Sequence, residues 1–150
     1  MAGANPGPTS GSATDASECP LCRDAGGDLV YQNDELRIVL ADEPDYPGFT
    51  RVVWNDHQAE MTDLSPSQQQ KVMQVVFQVE SVMRQVMKPD KINLASLGNQ
   101  VPHLHWHIIA RYQDDPTFPA PVWANPVRTA DPARLRDQRT QYRVALTGLG

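Results

Sequence analysis

Apolar residues recur along this chain with two different periods, and the periods predict its elements. Leu29-Val-Tyr31 and Leu36-Arg-Ile-Val-Leu40 flank the polar Gln32-Asn-Asp-Glu35, the pattern of a β-hairpin. Phe49-Thr-Arg-Val-Val-Trp54 predicts a third strand, ending just before His57. Val72, Val75, Val76, Val79, Met83, Val86 and Met87 then return every three or four residues, the stripe of a helix with one buried face. Ser65 suits its N-cap, Pro66 its first turn and Gln68 the far half of a capping box, while Pro89 stops it. Lys91-Ile-Asn-Leu-Ala-Ser-Leu97 predicts a fourth strand, Gly98-Asn-Gln100 a short turn, and Val101-Pro-His-Leu-His-Trp-His-Ile-Ile109 a fifth. This order of elements predicts an α+β fold, an antiparallel sheet of about five strands with the long helix on one face. A parallel sheet would need more helices.

Outside that pattern the chain changes character. Residues 1–17 are nearly all small or polar, too poor in apolar area to offset the entropy of ordering, and predict a flexible tail before a core domain over 18–112. Residues 113–150 form an extension. Its first part, rich in proline with Asp114, Asp115 and Trp123, predicts an irregular surface segment, and Asp131-Pro132 opens a polar, Arg-rich helical stretch to about 146. With 150 residues, 40% of them apolar, one globular domain is expected. No run approaches the ~18 apolar residues of a membrane span, and the start lacks a secretory pattern, so the expected location is cytoplasmic. A formal net charge of -5 argues against nucleic-acid or anionic-membrane partners, which need a basic surface. Any phosphate recognition must then be local.

Chemistry concentrates in the fifth strand. His103, His105 and His107 stand at every second position and would share one face, while Leu104, Trp106 and Ile108 would pack on the other. At strand rise the three imidazoles span roughly 13 Å, comparable to the ribose and phosphates of a nucleotide. One histidine is unremarkable; three in alternation point to nucleophilic catalysis or to a three-His metal site, provided they reach solvent. Imidazole suits phosphorus chemistry, since it is nucleophilic near neutral pH and with a pKa of about 6.5 is also a fair leaving group. Cys19-Pro-Leu-Cys22 is too closely spaced to brace a fold by a disulfide and follows a tail, not the βαβ context of a redox motif. A zinc knuckle fits better, but two cysteines leave tetrahedral zinc two ligands short, to be supplied by histidines.

The run His103 to Ile109 resembles the His-φ-His-φ-His-φ-φ signature of the histidine triad (HIT) superfamily, φ being apolar. The likeness extends over roughly 18–112. It implies a HIT-like fold and a nucleotide hydrolase or nucleotidyl transferase acting on the α-phosphorus, often as a homodimer. By this resemblance His105 is the nucleophile that carries a transient nucleotidyl group, His107 protonates the leaving group or binds phosphoryl oxygens, and His103 flanks them. Asn93 would meet a ribose hydroxyl, and Asn99 and Gln100 would line the phosphate turn. Zinc-containing members resemble this chain in joining a Cys-x-x-Cys pair to two histidines, which implies a structural zinc held by Cys19, Cys22, His57 and His103. In members without zinc the position of His57 supports the triad by hydrogen bonding, so two readings compete for it. The chain also departs from the family pattern: Gly98-Asn99-Gln100 lacks the usual hydroxyl, Trp106 is bulky for a φ position, and Pro102 cannot donate to a ladder. Pro102 therefore predicts an edge, a bulge or the start of the strand. Two other classes stay open beside the enzyme: a metal-centred three-His hydrolase, and a nucleotide-binding or interaction protein without turnover.

Overall fold

The structure, a computed structural model, describes residues 16–131 and 133–149. Most of the expected tail, residues 1–15, lies outside them. A short helix α1 (Pro20–Arg23) precedes strands β1 (Asp28–Gln32), β2 (Leu36–Leu40) and β3 (Thr50–Trp54). Helix α2 (Pro66–Met87), strands β4 (Lys91–Ala95) and β5 (His105–Arg111), and helix α3 (Arg136–Thr147) complete the chain. The strands make one antiparallel sheet in the order β1-β2-β3-β5-β4, as an α+β fold requires. Helix α2 starts where its capping signals place it: the Ser65 hydroxyl accepts from the Gln68 amide and the Gln68 side chain accepts from the Ser65 amide. Lys88 ends it in the left-handed conformation, one residue before Pro89.

One face of the sheet carries Leu36, Ile38, Leu40, Val52, Trp54, Ile108 and Ala110, which pack on Val72, Val76, Val79, Met83 and Met87 of α2. This is the main core. Tyr142 and Leu146 of α3 complete it, both fully buried, with the Tyr142 hydroxyl 2.6 Å from Thr50 Oγ1. The carboxy-terminal extension therefore shares the core of the domain. Its helix begins at Arg136, later than Asp131, because the Asp131 carboxylate accepts from the Ala133 amide and holds a local turn first; Pro132 itself lies outside the described residues.

The other face belongs to the site. It shows Arg37 and Val39 of β2, Arg51 and Val53 of β3, Asn93 and Ala95 of β4, and His105, His107 and Ile109 of β5. The segment Cys19–Gly27 lies over β2 and β3, its Leu21 and Cys19 packed on Val39 and Val53. Arg37 pins it there, donating to the carbonyls of Leu21, Asp24 and Ala25 and to Asn55 Oδ1. On the opposite flank the segment expected to be irregular surface is irregular, but its residues 115–117 are buried. Arg111 bonds both Asp115 carboxylate oxygens, at 2.8 and 3.1 Å, and Asp115 also accepts from the amides of Tyr112, Thr117 and Phe118. A carboxylate that organises five donors is withdrawn from water because each lone pair is used.

Candidate functional site

Strand β5 begins at His105, four residues later than the predicted start at Val101, because Pro102 cannot join a ladder and His103 closes a tight turn onto the Val101 carbonyl. Pairing resumes at Leu104, which accepts from the Trp54 amide and donates to the Gln58 carbonyl. The three histidines are thereby divided. His105 and His107 project over the sheet beside Arg51, whereas His103 is fully buried among Cys19, Cys22 and His57 and does not line the pocket.

That pocket encloses about 600 Å³ between the Cys19–Gly27 segment and the loop joining β4 to β5. Asn99, Gln100, Gly98 and Leu97 form one wall, Arg51 and Gly26 another, His105 and His107 the floor, and Trp123 the rim. Gly98 turns the loop at a φ of 69°, a left-handed value at which a side chain is strained. The connection runs from residue 96 to 104, longer than a tight hairpin, and Ser96 Oγ donates to the His105 carbonyl to hold the strand against it. Asn93 lies across Trp123, in a neighbouring groove with Val122 and Ile109, and its Oδ1 accepts from Arg111.

His105 Nδ1 sits 2.6 Å from the carbonyl oxygen of His103. A carbonyl only accepts, so Nδ1 carries the proton and Nε2 keeps a lone pair facing the pocket. Burial holds the His105 pKa below its ordinary value, offset in part by that hydrogen bond and lowered further by Arg51. His107 is pushed down to about 4, by burial first and then by His105 and Arg51. Its ring is wedged against Phe49 at 5.3 Å, His105 at 4.9 Å and Trp123 at 5.5 Å, all edge-on, and its buried Nδ1 has no hydrogen-bond partner. Nε2 is then the nitrogen of His107 that can serve a ligand. Both imidazoles are neutral at pH 7. They are also less exposed than a bare strand face would leave them, His105 at 9% and His107 at 6%, because α1 and Trp123 wall them in.

Beside the pocket, Cys19, Cys22, His57 and His103 bring four ligand atoms within 4.8 Å of one another. Cys22 Sγ is 3.3 Å from His57 Nδ1 and 3.4 Å from His103 Nδ1, and Cys19 Sγ is 3.4 Å from His103 Nδ1. Zinc bonds of about 2.0 to 2.3 Å at tetrahedral angles give ligand-to-ligand edges of roughly 3.3 to 3.8 Å, so the four residues fit that ion. His103 Nε2 lies 2.6 Å from the Trp54 carbonyl, an outer partner of the kind that orients metal-binding histidines. Arg51 was not among the candidates the histidine pattern nominates; its signal was an arginine alternating with the core-facing Thr50 and Val52, and so on the opposite face of β3.

Comparison with known proteins matches the description HIT domain over residues 23–114. An uncharacterized HIT-like protein of Saccharolobus solfataricus is 28% identical over 95 residues, which span 60% of this chain and 68% of that one. Among solved structures, a histidine triad protein from Bradyrhizobium japonicum superposes with a TM-score of 0.66 at 30% identity, covering 78% of this chain and 90% of the other. A zinc-bound histidine triad family protein from Mycobacterium smegmatis gives 0.63 at 21% identity, covering 88% and 95%, which establishes likeness of fold. A matched region that holds the sheet, the long helix and the strand bearing His105 and His107 is well over half of the sequence, and on it this chain belongs to the HIT domain family.

Proposed function

We propose that this protein is a nucleotide hydrolase or nucleotidyl transferase that works through a covalent intermediate on His105. The observation that carries the reading is the 2.6 Å bond from His105 Nδ1 to the His103 carbonyl, which leaves Nε2 unprotonated and directed into the pocket. In the first step Nε2 attacks the α-phosphorus, a nitrogen–phosphorus bond forms, the bond to the leaving oxygen or nitrogen breaks, and that atom takes the electron pair. In the second, water or another acceptor hydroxyl forms the new oxygen–phosphorus bond, its proton is lost, and the imidazole recovers its lone pair. A positive charge arises on the ring in between, and the His103 carbonyl stabilises it through Nδ1–H. His107, neutral in the free site, donates Nε2–H to a phosphoryl oxygen. An anionic phosphate beside it raises its pKa, after which it can protonate the departing atom.

Asn99 and Gln100 offer uncharged amides to the phosphate from the facing wall, and the amide nitrogen of Asn93 is free to meet a ribose hydroxyl in the neighbouring groove. His103 acts on the chemistry through its backbone carbonyl. Its side chain, with Cys19, Cys22 and His57, would hold a zinc ion, which would supply structural cross-linking between the amino-terminal segment and the sheet. That assignment takes His57 out of direct support of the triad. We further expect a symmetric homodimer, the commonest closed assembly. Support for turnover over mere binding comes from the geometry of His105, whose proton is held on Nδ1 by the His103 carbonyl while the ring lies at the pocket floor. The test is a panel of nucleotides differing in base and leaving group: the native chain should release nucleoside monophosphate from at least one, and His105→Ala from none. Tight binding without release by the native chain would instead establish a nucleotide-binding protein.

A further inference from the structure

Three arginines lie on the site face of the sheet; Arg111, at the far end of β5, is spent on Asp115, and the other two are used very differently. Arg37 spends its guanidinium on three carbonyls and an amide oxygen and is 5% exposed. It is a clamp. Arg51, one strand closer to the histidines, makes one hydrogen bond, from Nη1 to the Gly26 carbonyl at 2.9 Å. A guanidinium has five N–H donors, so most of those of Arg51 remain available. Among the described residues no carboxylate pairs with it; the four ion pairs involve Lys71, Arg111, Arg134 and Arg143. Glu43 acts on it electrostatically without reaching ion-pair distance.

Its position is held from three directions. The backbone pairs Arg51 directly with His107 across β3 and β5, which sets both side chains on the pocket face. Phe49 packs under the guanidinium at 5.7 Å while its own ring meets His107 edge-on. Gly26, at a φ of 94°, turns the overlying segment so that its carbonyl caps one edge of the fork. Arg51 also lines the pocket, and none of the other described residues that line it is a lysine, an arginine or an acid. In a chain of net charge -5 this is the permanent positive charge that an anion entering the pocket meets.

Resting on the nucleotidyl-transfer reading above, we propose that Arg51 binds the phosphate chain of the leaving group. The site would then select nucleotides whose α-phosphorus is joined to a further phosphate over those joined to an uncharged amine. When Nε2 of His105 forms its bond to phosphorus, the bond to the bridging oxygen breaks and its electron pair stays on the departing oligophosphate. The leaving group gains one negative charge. A guanidinium already in place meets that charge with paired N–H donors and need not reorganise. An amine leaving group takes a proton from His107 as the phosphorus–nitrogen bond breaks and departs uncharged, so Arg51 contributes little to its expulsion.

The test compares native protein, Arg51→Gln and Arg51→Lys on a dinucleoside triphosphate and on a nucleoside 5′-phosphoramidate, together with calorimetric binding of inorganic pyrophosphate. Arg51→Gln should lower kcat/KM on the triphosphate about a hundredfold and on the phosphoramidate less than about fivefold, and weaken pyrophosphate at least about tenfold. Arg51→Lys keeps the charge and loses the fork, so it should fall between, near tenfold on the triphosphate. Equal losses on both substrates, or unchanged pyrophosphate binding in either variant, would overturn the proposal and leave Arg51 as a tether for Gly26. If Arg51→Gln fails to fold, the ratio of the two substrates in Arg51→Lys decides. Failure of the native chain on both substrates would count against the nucleotidyl-transfer reading, while pyrophosphate binding would still judge Arg51.

Discussion

A single hydrogen bond settles which nitrogen of His105 is available, and it comes from a backbone carbonyl two residues back in the same chain. His105→Ala should therefore abolish turnover while the protein stays folded, since a ring at the pocket floor adds little to the main core; assays on the best substrate and a thermal melt check both. His107 carries a different expectation. Its pKa of about 4 lies below the ordinary value of about 6.5, so between those limits the unfolded chain binds a proton that the folded one excludes. Above about pH 6.5 His107 is neutral in both states and adds no pH dependence; stability falls as the pH drops from there towards 4. At pH 4.5 the loss should reach about 2 to 3 kcal/mol relative to pH 7.5. Urea titrations of native protein and His107→Gln at both values isolate it, because losses common to the two cancel. Identical pH dependence in the pair would show that His107 is not held neutral by the fold. At this scale the sequence was partly legible: alternation put His103, His105 and His107 on one face, where His105 and His107 line the pocket and His103 does not, and resemblance offered His103 both as a flank of the phosphate site and as a metal ligand. Pro102 explains why a strictly alternating run becomes two sites, for a ladder cannot begin before the residue that follows its turn.

Among elements, α2 was the most readable, since cap, proline and apolar stripe agree, and a local signal suffices when all its parts lie within one segment. The segment after β5 was the least. Asp114 and Asp115 look alike in sequence, yet Asp114 is exposed and pairs with Arg134 while Asp115 is buried against Arg111. Nothing local distinguishes them; the difference lies in which one the β5 arginine reaches. Asp115→Ala should destabilise the fold by about 3 to 5 kcal/mol, as removing one partner of a buried pair does. Replacing both, as Arg111→Met with Asp115→Leu, should recover only part of that loss, because the stranded charge goes but the amides of Tyr112, Thr117 and Phe118 still lose their acceptor. Urea unfolding of the three proteins checks this. A loss below about 1 kcal/mol in Asp115→Ala would mean that water already screens the pair. The same pair fixes the chain at the Phe118 amide and the Ala120 carbonyl, shortly before Trp123, whose ring walls His107, so the single variant should also weaken substrate binding.

For the whole molecule, an antiparallel sheet of five strands with α2 on one face followed from periodicity, whereas the order of the strands and the role of α3 did not. Its apolar stripe is thin because two residues, Tyr142 and Leu146, do the burying, and a tyrosine whose hydroxyl must find Thr50 is invisible without the partner strand. Among the described residues no helix is long and apolar enough to cross a membrane. The amino-terminal segment is joined to the sheet through the cysteine and histidine cluster, so one zinc per chain should be measured in fresh protein. Cys22→Ser and His57→Ala should each lower both zinc content and melting temperature. Free, titratable thiols in metal-free native protein would remove the ion and return His57 to hydrogen bonding. Light scattering should give a dimer mass at micromolar concentration; a monomer would contradict the assembly. If His105 Nε2 forms a bond to phosphorus during turnover, samples of a reaction on a labelled nucleotide, stopped in denaturant at alkaline pH where the acid-labile phosphorus–nitrogen bond survives, should carry the label. Peptide mapping should find one nucleotidyl group on His105 and none in His105→Ala. Rapid turnover with no label on His105 at any time, or label on another residue, would contradict it.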